Sequence, residues 1–200
     1  MEVYLISCSN EKNHSNGQAS SLLNLSFSDL LLPCRKKLIT HYEAIHGTLD
    51  WENCMPAHER YIGRTLYSHA VRNAISANNN QVLIVSALFG LIRPNDLIPD
   101  YDLQMKDILN HQYVNTFWRE QNETCKKCIL NEVLFSIKTD KNHYVNLLSE
   151  PYQNAFCGFS KGDDVQLNYV PDLIKPPVKE EVNFNNRMGH WKRDYLLKRL

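Results

Sequence analysis

Apolar and polar positions along the first residues, Glu2-Val-Tyr-Leu-Ile-Ser7, form a β-rich run. It gives way to a polar stretch, Ser7-Cys-Ser-Asn-Glu-Lys-Asn-His-Ser-Asn-Gly17. That pattern predicts a strand over 2–7 whose carboxyl end enters a long loop. From Ser26 to His46 apolar residues recur at helical spacing (Leu30, Leu31, Cys34, Leu38, Ile39, Tyr42, Ile45), with Gly47 placed to stop the helix and Pro33 marking its first turn or a kink. A second helix is predicted over 64–77, and the polar turn Asn78-Asn79-Asn80 hands over to the apolar run ending at Ser86. That run, over 82–87, has the character of a strand buried on both faces, as in a parallel sheet. Helices are predicted over 104–122 and 123–135, and short strands over 143–148 and 165–170. Residues 171–184 have a linker's composition, and 185–200 form a basic terminal helix.

Strands separated by helical segments argue for an α/β fold: one domain over 1–200, with a central mixed, mainly parallel sheet flanked by helices and a C-terminal basic helix. Two hundred residues suit a single core, and no internal repeat is visible. A hydrophobic fraction of 43% with 22% charged residues excludes a wholly disordered chain, and 7 Gly and 8 Pro exclude collagen-like composition.

Charge removes further classes. Lys plus Arg (22) cancels Asp plus Glu (22), so no global field draws the chain to DNA or to an anionic membrane, and a nucleic-acid contact would need a local basic patch. The longest apolar stretch, Val82 to Ile92, is broken by Ser86 and Gly90 and falls short of the roughly 20 residues that span a bilayer. The N-terminal run lacks a basic flank and is too short for a secretion signal, so the expected location is cytoplasmic, with no membrane partner. On that reading the six cysteines are reduced thiols, and the Asn-x-Ser/Thr triplets at Asn13, Asn24 and Asn122 are unmodified.

In open α/β sheets, ligands bind beyond the carboxyl ends of the strands. Three strand ends carry hydrogen-bonding side chains: Ser7-Cys8-Ser9 with Lys12; Ser86 onward to Arg93-Pro94; and Asn146 to Ser149-Glu150-Pro-Tyr152. Polar loops follow strands generally, so each of these alone is weak. Gly90 allows close backbone approach or positive φ. Arg93 offers a planar fork for phosphate or carboxylate, held by Pro94 and followed by Asp100-Tyr101-Asp102. Arg93 is therefore expected to bind ligand, the alternative being that it ties its own loop to Asp96 or Asp102. Cys8 could act as a nucleophile with His14 or His58 as base, or simply close a strand as a small apolar residue.

Cys125-x-x-Cys128 has zinc-knuckle spacing but no second pair; His111 and Cys157 would have to be recruited, and no metal site is assigned. No Gly-rich phosphate loop follows the first strand, which disfavours Rossmann and P-loop enzymes. The terminal helix carries Arg187, Lys192 and Arg193 with Trp191 and Tyr195 interleaved, a composition suited to nucleic acid or equally to a solvated helix face. Arg35-Lys36-Lys37 forms a second basic cluster.

The stretch from Ser86 to Tyr101 closely resembles the Ser-x-x-(Tyr/Phe)-Gly-x-x-Arg-Pro-x-Asp-Leu-Ile-x-x-Tyr signature of the YaaA family of peroxide-stress proteins. Tyr61-x-Gly63 is similar to an element ahead of that signature in shorter relatives. Val145 to Tyr152 is similar to the family's Asn-Leu-(Ala/Ser)-Ser-x-x-Tyr strand end, and Ile6 to Lys12 to the Ser-Cys-x-x-Lys opening of the shorter relatives. The last is also distantly similar to a Cys-x-x-Lys-Pro-Tyr segment of archaeosine synthase, which acts on a modified base in tRNA. Arg187-Met-Gly189 departs from the Lys-x-x-Arg-Gly run expected near the end of the family's chains.

The resemblance implies an α/β protein with a basic cleft, associated in its best-known members with DNA binding and protection from peroxide and iron damage. Two functions follow. One is an enzyme, a nucleobase- or nucleotide-modifying transferase or glycosidase. In it Cys8 and Lys12 are catalytic, and Ser7, Tyr61, Ser86, Gly90, Arg93, Tyr101, Asp102, Asn146, Ser149 and Tyr152 bind a nucleotide or nucleobase, free or in nucleic acid. The other is a non-enzymatic DNA-binding protein of the peroxide-stress response, using Arg187, Lys192 and Arg193. No cofactor or oligomeric state is indicated.

Overall fold

The computed structural model describes residues 1–15, 17–120, 128–139, 143–157, 173–174 and 188–200. The strand Glu2–Ser7 (β1) is followed by a long helix, Ser28–His46 (α1). Next come a short strand Met55–Pro56 (β2), a single turn Ala57–Arg60 (α2) and a helix His69–Ala77 (α3). Strands Val82–Ser86 (β3), Gly90–Ile92 (β4) and Leu97–Ile98 (β5) precede the two short strands Ile108–Leu109 (β6) and Gln112–Tyr113 (β7). Helices Val114–Arg119 (α4) and Ile129–Ser136 (α5), strand His143–Asn146 (β8) and the turn Glu150–Gln153 (α6) follow, then Leu173–Ile174 (β9) and Met188–Leu197 (α7).

The central sheet runs β4-β3-β1-β8-β9. β1 is parallel to both β3 and β8, β9 is parallel to β8, and only β4 runs antiparallel. This is the mixed, mainly parallel sheet expected. Every residue of β3 and Val3 to Ser7 of β1 are buried, as strands covered on both faces must be. Ser7 lies opposite Val85, and Leu5 opposite Asn146, so Cys8, Ser86 and Asn146 all emerge at the carboxyl edge.

The margin of the sheet is closed by a side chain. Arg35, on α1 and fully buried, donates from Nε to Phe89 O (2.8 Å) and from Nη2 to Leu91 O and Ser26 O (2.8 Å each). The carbonyls of Phe89 and Leu91 face away from β3, and occupying them prevents the edge from pairing with another strand. Arg35 thus leaves the surface basic cluster in which its sequence neighbours place it, because outward-facing carbonyls in the core need a donor.

Several elements differ from expectation for identifiable reasons. Residues 104–122 do not form one helix: Asn110 and His111 both adopt positive φ (48° and 63°), the conformation of a tight turn between antiparallel strands, so β6 and β7 pair and only α4 is helical. The 64–77 helix begins at His69, because Tyr67 is drawn out of the helical path to donate its hydroxyl to Ser7 O (2.8 Å). Pro33 lies in the second turn of α1, whose C-terminal Gly47 takes φ of 87° as the stop signal requires. β4 is a strand where a rigid loop was expected, since Gly90 at φ of 67° reverses the chain and returns Leu91 and Ile92 along β3. The predicted strand over 165–170 lies outside the described residues, as do 171–172 and 175–184 of the linker-like segment and 185–187 at the start of the terminal helix.

Candidate active site

The carboxyl edge carries a cluster of hydroxyl and thiol groups around Cys8. The loop leaving β1 is fixed by backbone pairing with the segment after α2. Asn13 N–H donates to Arg60 O (2.8 Å), Ile62 N–H donates to Glu11 O (3.1 Å), and Lys12 lies opposite Tyr61. Ser9 Oγ adds a 2.6 Å bond to Ile62 O. Buried Arg60 holds the same loop through Asn13 O and reaches Asn53 O at 2.8 Å. A polar run that reads as loose loop is therefore rigidly placed.

Within this frame Cys8 Sγ is 3.0 Å from Tyr152 Oη, and Tyr101 Oη donates to it at 3.9 Å. Tyr101 Oη also meets Tyr61 Oη at 2.7 Å and Ser86 Oγ at 2.9 Å. Tyr101 Oη has one proton to share among these contacts, and Ser86 Oγ in turn accepts from Phe89 N–H (3.1 Å). Burial, and then the neighbouring Cys8, push the hydroxyls of Tyr61, Tyr101 and Tyr152 well above the ordinary phenol range. All three remain neutral donors at physiological pH. Below them, Ser149 N–H donates to Ser7 Oγ (3.0 Å), and the two serine hydroxyls lie 3.3 Å apart, joining the ends of β1 and β8.

Lys12 is the anomaly. It is only 6% exposed, and its ammonium sits 4.6 Å from the centroid of the Tyr101 ring. Among the described residues no carboxylate pairs with it. The described residues thus set an aromatic face and no anion beside this ammonium.

Ser7, Cys8, Lys12, Tyr61, Ser86, Tyr101, Ser149 and Tyr152 are therefore brought together. Others expected beside them are not. Because β4 runs antiparallel, Arg93 lies at the opposite edge of the sheet; its Nη1 donates to Asn79 O (3.3 Å), its guanidinium is 5.5 Å from the Phe27 ring, and its N–H donates to Asp96 (3.0 Å). Asp96 is thus held by the Arg93 backbone N–H, and not by the guanidinium as the loop-tying alternative expected. Gly90 faces Trp118, where an added Cβ would meet ring carbons at 3.0 Å, so its need for glycine is met by packing. Asp102 is exposed and its N–H donates to Tyr42 Oη (3.0 Å), while Asn146 Oδ1 accepts from Leu148 N–H (3.0 Å).

Neither histidine proposed as a base contacts Cys8. His14 Nδ1 meets the Asp100 carboxylate, and His58 Nδ1 lies 2.9 Å from Pro94 O. On α7, burial pushes the Lys192 ammonium down to about 8, Arg193 pairs with Asp194 at 2.7 Å, and Trp191 stacks on Tyr195. Arg187 and Cys125 lie outside the described residues. Tyr67 and Arg60 were missed by sequence reading because neither sits in a recognisable motif.

Among the described residues no group of three or more His, Cys, Asp or Glu side chains could hold a metal ion, and no helix is long and apolar enough to cross a membrane.

Comparison with known proteins matches the family model described as peroxide stress protein YaaA over residues 5–188. A UPF0246 protein of Hahella chejuensis is 33% identical over 95 residues, covering 48% of this chain and 36% of the relative. UPF0246 proteins of Rickettsia rickettsii and Rickettsia conorii are each 28% identical over 83 residues, covering 42% of this chain and 31% of the relative. The matched stretch thus spans about a third of the length of these curated relatives. With the signature segment folded as β3, β4 and the Tyr101 arm of the Cys8 cluster, and the family match running from β1 to α7, this chain belongs to the peroxide stress protein YaaA family.

Proposed function

We infer that this chain is an enzyme that takes a nucleotide or nucleobase, free or within nucleic acid, at the carboxyl edge of its sheet. Membership in the family supports a role connected with peroxide stress. The observation that carries the finer reading is Lys12: a lysine only 6% exposed, lying over the Tyr101 ring and given no anion by the described residues, is suited to an anionic group supplied by a ligand. Cys8 is the reactive group. If its sulfur carries negative charge, Tyr101 and Tyr152 can both donate to it, since burial keeps their phenols protonated. Tyr61 and Ser86 orient Tyr101, and Ser7 with Ser149 fixes the strand ends on which Cys8 and Tyr152 are mounted. The reaction class is transfer to, or cleavage from, a nucleobase or nucleotide.

The DNA-binding alternative is less well supported by the terminal helix, where burial disfavours the charged form of Lys192 and Arg193 is engaged by Asp194. Equilibrium dialysis against nucleoside 5′-monophosphates and free nucleobases tests the proposal. Saturable binding of either class is expected, weakened about tenfold or more by Lys12→Gln for the phosphorylated ligands. Absence of binding to every nucleotide and base, together with duplex-DNA binding whose affinity falls steeply with salt, would favour the alternative and overturn this reading.

A further inference from the structure

Away from the Cys8 cluster, a second pair of sulfurs is built into the fold. Cys128 precedes α5 as its N-terminal capping residue, and Cys157 lies just beyond α6. The two are held together by a clamp. The side chain of Asn131, itself buried, donates from Nδ2 to Cys157 O (3.0 Å) and accepts from Cys157 N–H through Oδ1 (3.1 Å). Cys128 Sγ donates to Ala155 O at 3.5 Å and is hydrogen-bonded to the Cys157 thiol. A paired amide gripping the backbone of one cysteine, one turn from the other, fixes both thiols relative to each other. Nothing in the Cys8 site calls for such an arrangement.

The two thiols differ in access. Cys128 is buried; Cys157 is half-buried. The hydrogen bond with the Cys157 thiol, and then burial, also hold Cys128 in its protonated form. The exposed sulfur is the one an oxidant can reach, and the buried one is placed to resolve the product.

We propose that Cys128 and Cys157 form a peroxide-reactive dithiol that closes to a reversible disulfide between the start of α5 and the end of α6. Cys157, as the thiolate, attacks one oxygen of hydrogen peroxide; the O–O bond breaks, giving a Cys157 sulfenic acid and hydroxide, which takes up the proton the thiol released. Cys128 then attacks the sulfenic sulfur; the S–O bond breaks, the S–S bond forms, and the Cys128 proton leaves with the hydroxyl as water. In total two thiols are oxidised by two electrons, and one peroxide is reduced to two waters. The bond lies on the segment that presents Tyr152 to Cys8, so closing it constrains α6 without using a residue of that site.

The experiment is peptide mapping of the full chain after treatment with equimolar hydrogen peroxide. The expected product is a linked Cys128–Cys157 peptide pair, about 2 Da lighter than the reduced peptides and restored by dithiothreitol. In Cys128→Ser the linked species should vanish while Cys157 accumulates as sulfenic and then sulfinic acid. In Cys157→Ser, Cys128 should resist oxidation. The wild-type map alone decides the matter if either variant folds poorly. Oxidation of Cys157 to sulfinic acid with no link in the wild-type chain, or a link from Cys157 to Cys8 or Cys125 instead of Cys128, would overturn the proposal. Nucleotide binding is not part of the readout, so failure here leaves the reading of the Cys8 site standing, and the reverse holds as well.

Discussion

Among the buried cations of this fold, Arg35 and Lys12 have opposite surroundings. Arg35 closes the β4 margin with its donors spent on three backbone carbonyls and the Ser28 hydroxyl, and burial lowers it only to about 10, so it stays charged and matched. Among the described residues Lys12, at the carboxyl edge, has the face of Tyr101 and no carboxylate. The described residues supply partners to the first charge and no anion to the second. A buried polar group whose partners are all present explains itself by stability; one that lacks a partner points outward, to something that binds. The same contrast separates Asp96, which accepts from Ser26 and from Arg93 N–H, from the open chemistry around Cys8.

The comparison breaks most visibly at Arg35. Arg35→Met removes a guanidinium of similar length and leaves the carbonyls of Ser26, Phe89 and Leu91 without their donor. A loss of about 3–5 kcal/mol in unfolding free energy is expected from urea titration, since buried carbonyls stripped of a charged partner carry their full desolvation penalty. A change under about 1 kcal/mol would mean that the β4 margin is satisfied by water and that matching is no guide to role.

Gly90 belongs to the same hairpin and tests its packing. Gly90→Ala introduces a Cβ at positive φ and against Trp118 and Leu130, and should destabilise by about 2–3 kcal/mol in the same titration. Nucleotide binding by the fraction that remains folded is expected to be unchanged, because Gly90 faces the helix side and not Cys8. Loss of binding in folded Gly90→Ala would return this glycine to the ligand site.

Lys12 carries the opposite expectation. Lys12→Met keeps the aliphatic stem and removes a charge to which the described residues give no carboxylate, so the ligand-free protein should change in stability by no more than about 1 kcal/mol. Binding of nucleoside monophosphates should fall by at least about tenfold. A destabilised variant that still binds nucleotide would make Lys12 a structural residue and remove the contrast with Arg35.

How much of this was legible in the chain follows from the range of each interaction. β1 and β3 could be read because strands buried on both faces leave continuous apolar runs, β8 only as a short strand around Tyr144 and Val145, and parallel order then put Cys8, Ser86 and Asn146 on one edge. The Cys8, Lys12, Tyr101 and Tyr152 group was accessible through the signature segments at strand ends. Arg93 was misplaced because a single feature, the hairpin reversal at Gly90, sends everything after it to the other edge. A glycine before two apolar residues signals such a reversal only weakly. Arg35 was invisible as a core residue, since its neighbours Lys36 and Lys37 suggest a basic surface and only the tertiary fold supplies its carbonyls. The helix expected over 104–122 failed at Asn110-His111, where backbone conformation overrides apolar spacing.

Lys192, on α7, provides the smallest and most selective test, because it is a further partly buried cation. Burial pulls its ammonium from the ordinary 10.5 to about 8. Below about pH 8 the lysine is protonated in both folded and unfolded chains, and the folded state bears the full penalty of the buried charge. Between about 8 and 10.5 the folded chain binds fewer protons than the unfolded one, so stability attributable to this group rises with pH and the penalty fades. Lys192→Met should therefore be the more stable protein at neutral pH, with its advantage over wild type shrinking across that window in chemical denaturation at a series of pH values. Taking the difference between the two proteins cancels the buried tyrosines, which titrate in both. A constant difference from pH 7 to above 10 would show that Lys192 reaches solvent and retains its charge, which would restore it as a phosphate contact and strengthen the case for nucleic acid at the terminal helix.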